Sequence, residues 1–271
     1  MSFSCNSFVI LCLYLFLTKP LIPEQNFGGG NLTKVEKRIR KIGFALCESF
    51  AMITIIMMLQ GKRYDRLPLA VATPVMILVP LLIERLFRCK MILPVYLYSL
   101  FYTIGPAFGQ CHNFYYTVPW WDKMLHTSGG IIFAFFGLFL FEKYIGKDKK
   151  KVVMTAIFAV CFSMAVSVLW EFYEFGADTF FGTDMQDDVV ITQINSYLLD
   201  EGVGVAGGIE NIEEVIVNGK ALPVKGYIDI GLIDSMIDML LEALGALVVA
   251  AIYVFSKGKA SPIIPVKIAK K

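Results

Sequence analysis

A series of apolar segments, too long for an ordinary soluble core, constrains this chain most. Crossing the hydrocarbon layer of a bilayer takes about 17–25 mostly apolar residues. Six stretches meet that need, near residues 42–60, 67–83, 91–110, 124–142, 152–173 and 231–255. Lipid offers the backbone no hydrogen-bond partner, so each such stretch must be helical. The expected fold class is therefore all-α, a polytopic membrane helix bundle of about six transmembrane helices. Composition agrees: 56% of the residues are hydrophobic, against about 45–50% apolar in soluble domains.

Two segments are irregular. The second span is short and carries Pro68, Pro74 and Pro80, which predicts a kink or tight packing. An apolar stretch at residues 8–17 is short for a span and lacks both a basic leader and an A-x-A-like site. It makes a poor signal peptide, and the sequence leaves open whether it crosses the membrane. "FGGGN" (27–31) reads as a flexible joint after it.

Basic residues crowd into "KVEKRIRK" (34–41), "RLFRCK" (85–90), "KYIGKDKKK" (143–151) and the tail after Lys257. These are alternate connections, so the positive-inside rule puts them, and the C-terminus, in the cytoplasm. The basic loop "GKRYDR" (61–66) dissents and is outvoted. The expected setting is the cytoplasmic membrane, with residues 174–230 outside it and acidic. The expected organisation is an apolar segment and joint (1–33), a bundle holding the first five spans (34–188), an extracytoplasmic insertion (189–230), a last span (231–256) and a basic tail (257–271). Within the insertion, "EEVIVNGKALPV" has two β-prone arms around Asn218-Gly219, a signal for a type I′ β-hairpin. A small helix is expected beside it. "GVGVAGG" (202–208) does not open a helix after a strand, so it is no phosphate loop. The six cysteines are scattered, with no CxxC pair, which argues against a disulfide framework or zinc knuckle.

Polar residues converge at the expected outer helix ends. In "VPWWDKMLHTSGG" (118–130), Asp122 and His126 are spaced i,i+4 on one helical face. Trp120 and Trp121 fit an interfacial aromatic belt, and Gly129, Gly130 and Ala134 admit a close neighbouring helix. The fifth span ends in "LWEFYEFGADTFFGTDMQDD", with Glu171, Glu174 and Asp178 at i, i+3, i+7. The last begins "GLIDSMIDMLLEALGALV", with Asp234, Asp238 and Glu242 at i, i+4, i+8. Carboxylates at membrane depth are costly and point to function.

The segments "WWDKMLHTSGG", "WEFYEFGADTFFGTDMQ" and "GLIDSMIDMLLEALGAL" resemble those of the YjdF-type bacterial membrane proteins over residues 42–255. The resemblance implies a multi-pass inner-membrane protein and no particular reaction. A fainter similarity, to VanZ-like membrane proteins, rests on the Asp/His pair at a helix start.

Three functions fit these residues. In the first, Asp122, His126, Glu171, Glu174, Asp178, Asp234 and Asp238 bind a hard or borderline divalent cation, Mg²⁺, Mn²⁺, Ca²⁺ or iron. Or the same site does acid–base chemistry, His126 carrying protons and Asp122 orienting it, on an envelope lipid or lipid-linked substrate. Neither Glu171 nor Glu174 is followed by His at i+3, which disfavours a carboxylate-bridged di-iron centre. His112 in "GQCHNFYY" is an optional further ligand. In the second, the column Asp234, Asp238 and Glu242, with Glu48 on the first span, conducts protons or ions. In the third, the acids cap helices in a scaffold or partner-binding protein. The expected partner in every case is the lipid bilayer, and none is nucleic acid.

Overall fold

The computed structural model describes residues 32–87, 89–146 and 148–258. The 8–17 stretch, the glycine-rich joint and the tail beyond residue 258 lie outside them. Among the described residues the helices are α1 (Lys34–Gln60), α2 (Leu67–Leu86), α3 (Leu93–Cys111), a single turn α4 (Phe114–Thr117), α5 (Trp121–Ile145), α6 (Val152–Phe181) and α7 (Leu232–Phe255). Six of them occupy the six expected spans. Five stretches, containing α1, α2, α5, α6 and α7, are long and apolar enough to cross a membrane. At 19 residues α3 is long enough, but its tyrosines, Ser99, Thr103 and Gln110 make it less apolar.

Local chemistry sets the helix ends. Thr33 and Glu36 form a reciprocal capping box that starts α1: the Glu36 N–H donates to Thr33 Oγ1 at 3.1 Å and the Thr33 N–H to Glu36 Oε2 at 2.9 Å. Pro74 and Pro80 are accommodated inside α2. Beside Pro74, Thr73 Oγ1 donates back to the Leu69 carbonyl at 2.8 Å.

The chain divides into two compact units. The first holds the residues up to Phe172 and those from Asp238 onward. Within it α1, α2 and α3 pack on one another, and α3 also meets α5. The central helix is α5: 78% of its most apolar window is buried, against 17–39% in the other candidate spans. One core joins Tyr96, Leu100 and Ile104 of α3 to Phe136 and Phe139 of α5. Another joins Ile131, Ala134 and Leu138 of α5 to Ala156 and Ala159 of α6 and Ala246, Val249 and Ala250 of α7.

A buried ionic cluster pins α1 to α2. Arg40 donates to Glu84 Oε1 at 2.6 Å and to the Met91 carbonyl at 3.0 Å, and its guanidinium lies 3.6 Å from the centre of the Tyr96 ring. The Met91 N–H also donates to Glu84 Oε1, and Lys90 Nζ donates to Glu84 Oε2 at 2.7 Å.

The second unit is Tyr173–Ile237. It contains three two-stranded antiparallel pairs: β1 (Val190–Ile191) with β6 (Tyr227–Ile228), β2 (Ile194–Ser196) with β3 (Gly207–Ile209), and β4 (Ile216–Val217) with β5 (Lys220–Ala221). The hairpin expected around Asn218-Gly219 is the third pair. Asn218 has φ 51° and Gly219 φ 79°, the two left-handed residues a type I′ turn requires. No helix forms among residues 189–230, so the small helix expected there is replaced by strands. Its β-branched residues favour strands, and Gly and Asn punctuate them into short pieces.

Candidate functional site

The site is built on the first two turns of α5. Trp121 anchors this end. It is 8% exposed, and its indole N–H donates to the Gly105 carbonyl at 3.0 Å. Its ring packs edge-on against Phe101, Phe108 and Phe114. Trp121 is thus a core residue rather than the interfacial belt residue expected of it. The bond to Gly105 satisfies the one polar group that would otherwise favour the membrane surface.

One turn on, His126 is 6% exposed. Its Nε2 lies 3.5 Å from Asp122 Oδ1 on the same helix and 3.4 Å from Asp238 Oδ2 on α7. Asp238 is 2% exposed. Donor atoms of all three residues lie within 4.8 Å of one another, the only such His/Cys/Asp/Glu group among the described residues. One turn beyond Asp238 on α7 is Glu242, also 2% exposed. Ser163 Oγ on α6 lies 3.5 Å from Glu242 Oε1 and also donates to the Gly130 carbonyl. His126, Ser167 and Glu171 are close enough to act electrostatically on the Glu242 carboxylate.

Glycines make this proximity possible. A methyl on Gly130 would overlap the backbone of Glu242, and one on Gly245 would overlap the Thr127 carbonyl. The backbones of α5 and α7 therefore touch just beside the polar group, as small residues at helix crossings allow.

The structure divides the other expected site residues. Glu171 lies in the first unit, 6% exposed. Glu174, Asp178 and Asp234 belong to the second unit. There Asp178 accepts from Thr183 Oγ1 and from the N–H groups of Met185 and Gln186. Asp234 accepts from the Asp187 N–H at 3.0 Å. Glu174 is 4% exposed. His112 is elsewhere, 3.0 Å from Thr54 Oγ1 and beside the stacked Phe50 and Phe108 rings. Burial there, with the Arg66 charge adding to it, holds its imidazole below the ordinary range.

Ser163 and Ser167 were missed in the sequence. Their signal is nevertheless present: Ser163, Ser167 and Glu171 are spaced i, i+4, i+8, a polar stripe along an otherwise apolar helix.

The donor set is chemically specific. Two carboxylates and one imidazole suit a borderline divalent cation. Ligands held about 2.0–2.2 Å from such an ion sit about 3–3.5 Å apart, and the two His126 separations match that. Without a cation, one imidazole faces two carboxylates, with Glu242 close by. Like charges so near one another cannot all be ionised cheaply.

Fold and site together define a helical membrane protein with a polar Asp/His/Asp group buried among its helices. The chain belongs to a family described as "Predicted membrane protein (DUF2238)", which matches residues 42–259. No curated protein and no solved structure matches it.

Proposed function

We propose that Asp122, His126 and Asp238 form a divalent-cation site at the outer face of the cytoplasmic membrane, used for acid–base chemistry on an envelope lipid or lipid-linked substrate. One observation carries this reading: three ligand atoms from two helices lie within 4.8 Å of one another, on two residues below 7% exposure and a third whose side chain is 21% exposed. Mg²⁺, Mn²⁺ and Fe²⁺ suit the set, with Ca²⁺ as the larger alternative. When no cation occupies the site, His126 Nε2 is the proton carrier, and Asp122 orients it from one turn away. Glu171 and Glu242 bring further carboxyl groups close to the site.

Elemental analysis of the purified protein tests this. About one divalent metal per chain is expected, held by a site of this kind until chelation. Asp122→Ala and Asp238→Ala should each lose it. A metal-free protein whose stability is unchanged by chelation would refute the cation site.

A second reading has support of its own. Asp238 and Glu242 are successive buried carboxylates on α7, with Ser163 beside the second. Such a ladder suits a proton or ion path. Asp238→Asn should then abolish flux in proteoliposomes.

A further inference from the structure

Beside the polar group lies a cavity of about 310 Å³. It runs between α2 and α3 on one side and α5 and α6 on the other. Its walls are apolar for most of their length: Met76 and Val79 from α2, Val95 from α3, Ile132, Phe133 and Phe136 from α5. One end is different. His126, Ser167 and Glu242 line it there, and they are 6%, 1% and 2% exposed. The α5 wall runs from His126 to Phe136, which at the helical rise is about 15 Å. Val79 and Leu169 border the cavity and are 42% and 66% exposed. Both lie on candidate spans, so the cavity opens sideways, toward lipid chains.

We infer that this cavity holds a single hydrocarbon chain of a membrane lipid, with a neutral ester or hydroxyl group at the His126–Ser167–Glu242 end. This rests on the reading of His126 as the reactive group and extends it to a substrate class. The long apolar wall matches a methylene chain, whose burial contributes about 0.8 kcal/mol per CH₂ when taken from water. For a chain already in lipid that gain vanishes, so recognition falls to the polar end. Among the described residues that line the cavity none is Lys or Arg, so a bare phosphate or carboxylate finds no basic side chain to pair with there. Ser167 and Glu242 instead offer hydrogen bonds to a hydroxyl or ester. Pockets of this kind commonly pair an apolar wall with a few convergent polar groups.

The experiment uses the full chain in detergent and a monoacylglycerol whose acyl chain carries a diazirine. Photolabelling should be saturable, and it should map to peptides containing Val95, Ile132 and Phe133. Unlabelled monoacylglycerol should compete better than the free fatty acid of equal length. Ser99→Phe, which places a ring on the cavity wall, should lower labelling about tenfold, equivalent to about 1.4 kcal/mol of binding. Metal content, measured on the same samples, should not change. Peptide mapping of the unmutated chain stands by itself if Ser99→Phe misfolds. Non-saturable labelling spread over lipid-facing positions such as Val71 and Val75 would overturn the inference. So would equal competition by the fatty acid. Saturable labelling of an unmutated chain that carries no metal would overturn the cation site and leave the chain site standing.

Discussion

Gly130 on α5 lies so close to the Glu242 backbone on α7 that no methyl fits between them. That contact, with Gly245 against Thr127, sets the distance between the helix carrying His126 and the helix carrying Asp238. Gly130→Ala should therefore force the helices apart. Overpacking of this kind costs about 1–3 kcal/mol. The check is thermal unfolding in detergent, with metal content falling in parallel. An unchanged midpoint and full metal content would show that the crossing does not hold the site.

The Arg40–Glu84 pair should behave differently when halved and when removed. Both side chains are buried, at 7% and 1% exposure. Glu84→Ala leaves the Arg40 charge buried without its carboxylate, at about 3–5 kcal/mol. Arg40→Met combined with Glu84→Leu removes both charges and should recover most of that loss. Denaturant unfolding of the three proteins checks the order.

Asp178 should prove structural. It accepts three hydrogen bonds from the turn that follows α6. Asp178→Ala should destabilise the second unit by about 1–3 kcal/mol, the usual result of stranding buried donors. Metal content should stay unchanged, which elemental analysis would show.

The second unit should loosen as pH rises. Desolvation, with Asp188 and Asp178 nearby, pushes the Asp184 carboxyl above its ordinary value of 3.8. Desolvation, with Asp229 and Asp178, does the same for Asp188. A carboxyl whose folded pKa is raised binds its proton more tightly when folded. Its stabilising effect is complete below the unfolded value and is lost as pH rises through the folded one. Protease resistance of residues 183–230 should thus decline from acid toward neutral pH. Asp184→Asn with Asp188→Asn should flatten that decline.

Charge asymmetry predicts sidedness. In intact cells a membrane-impermeant thiol reagent should label Lys220→Cys and spare Lys150→Cys, relative to the parent chain. The reverse pattern would invert the proposed topology and move the His126 site to the cytoplasmic face.

The helices were legible because the bilayer imposes a length that few other structures need. The type I′ hairpin was legible because Asn218-Gly219 supplies two left-handed residues in succession. Asp122 and His126 were placed on one face by helical period alone, and Asp238 was singled out by depth. The partition of the remaining acids was hidden. Periodicity put Glu171, Glu174 and Asp178 on one face, yet the boundary between the units falls between Phe172 and Tyr173, and no local pattern marks it. The Arg40–Glu84 cluster was also hidden. In sequence Glu84 is simply an acid beside Arg85, Arg88 and Lys90; only packing showed that its partner is 44 residues away. Trp121 was misplaced because an indole beside a membrane looks the same whether its N–H meets water or the Gly105 carbonyl.

The glycine contacts between α5 and α7 bear on which ion the proposed site would prefer. Backbones already touching cannot draw closer, and the buried α5 has little room to move outward. The three ligands then hold a nearly fixed spacing, whatever enters. Ca²⁺ takes six to eight oxygens at about 2.3–2.6 Å and needs a flexible cage. With a cation in the proposed site, a fixed frame of two carboxylates and an imidazole would discriminate by radius and favour Mg²⁺, Mn²⁺ and Fe²⁺ over the larger calcium.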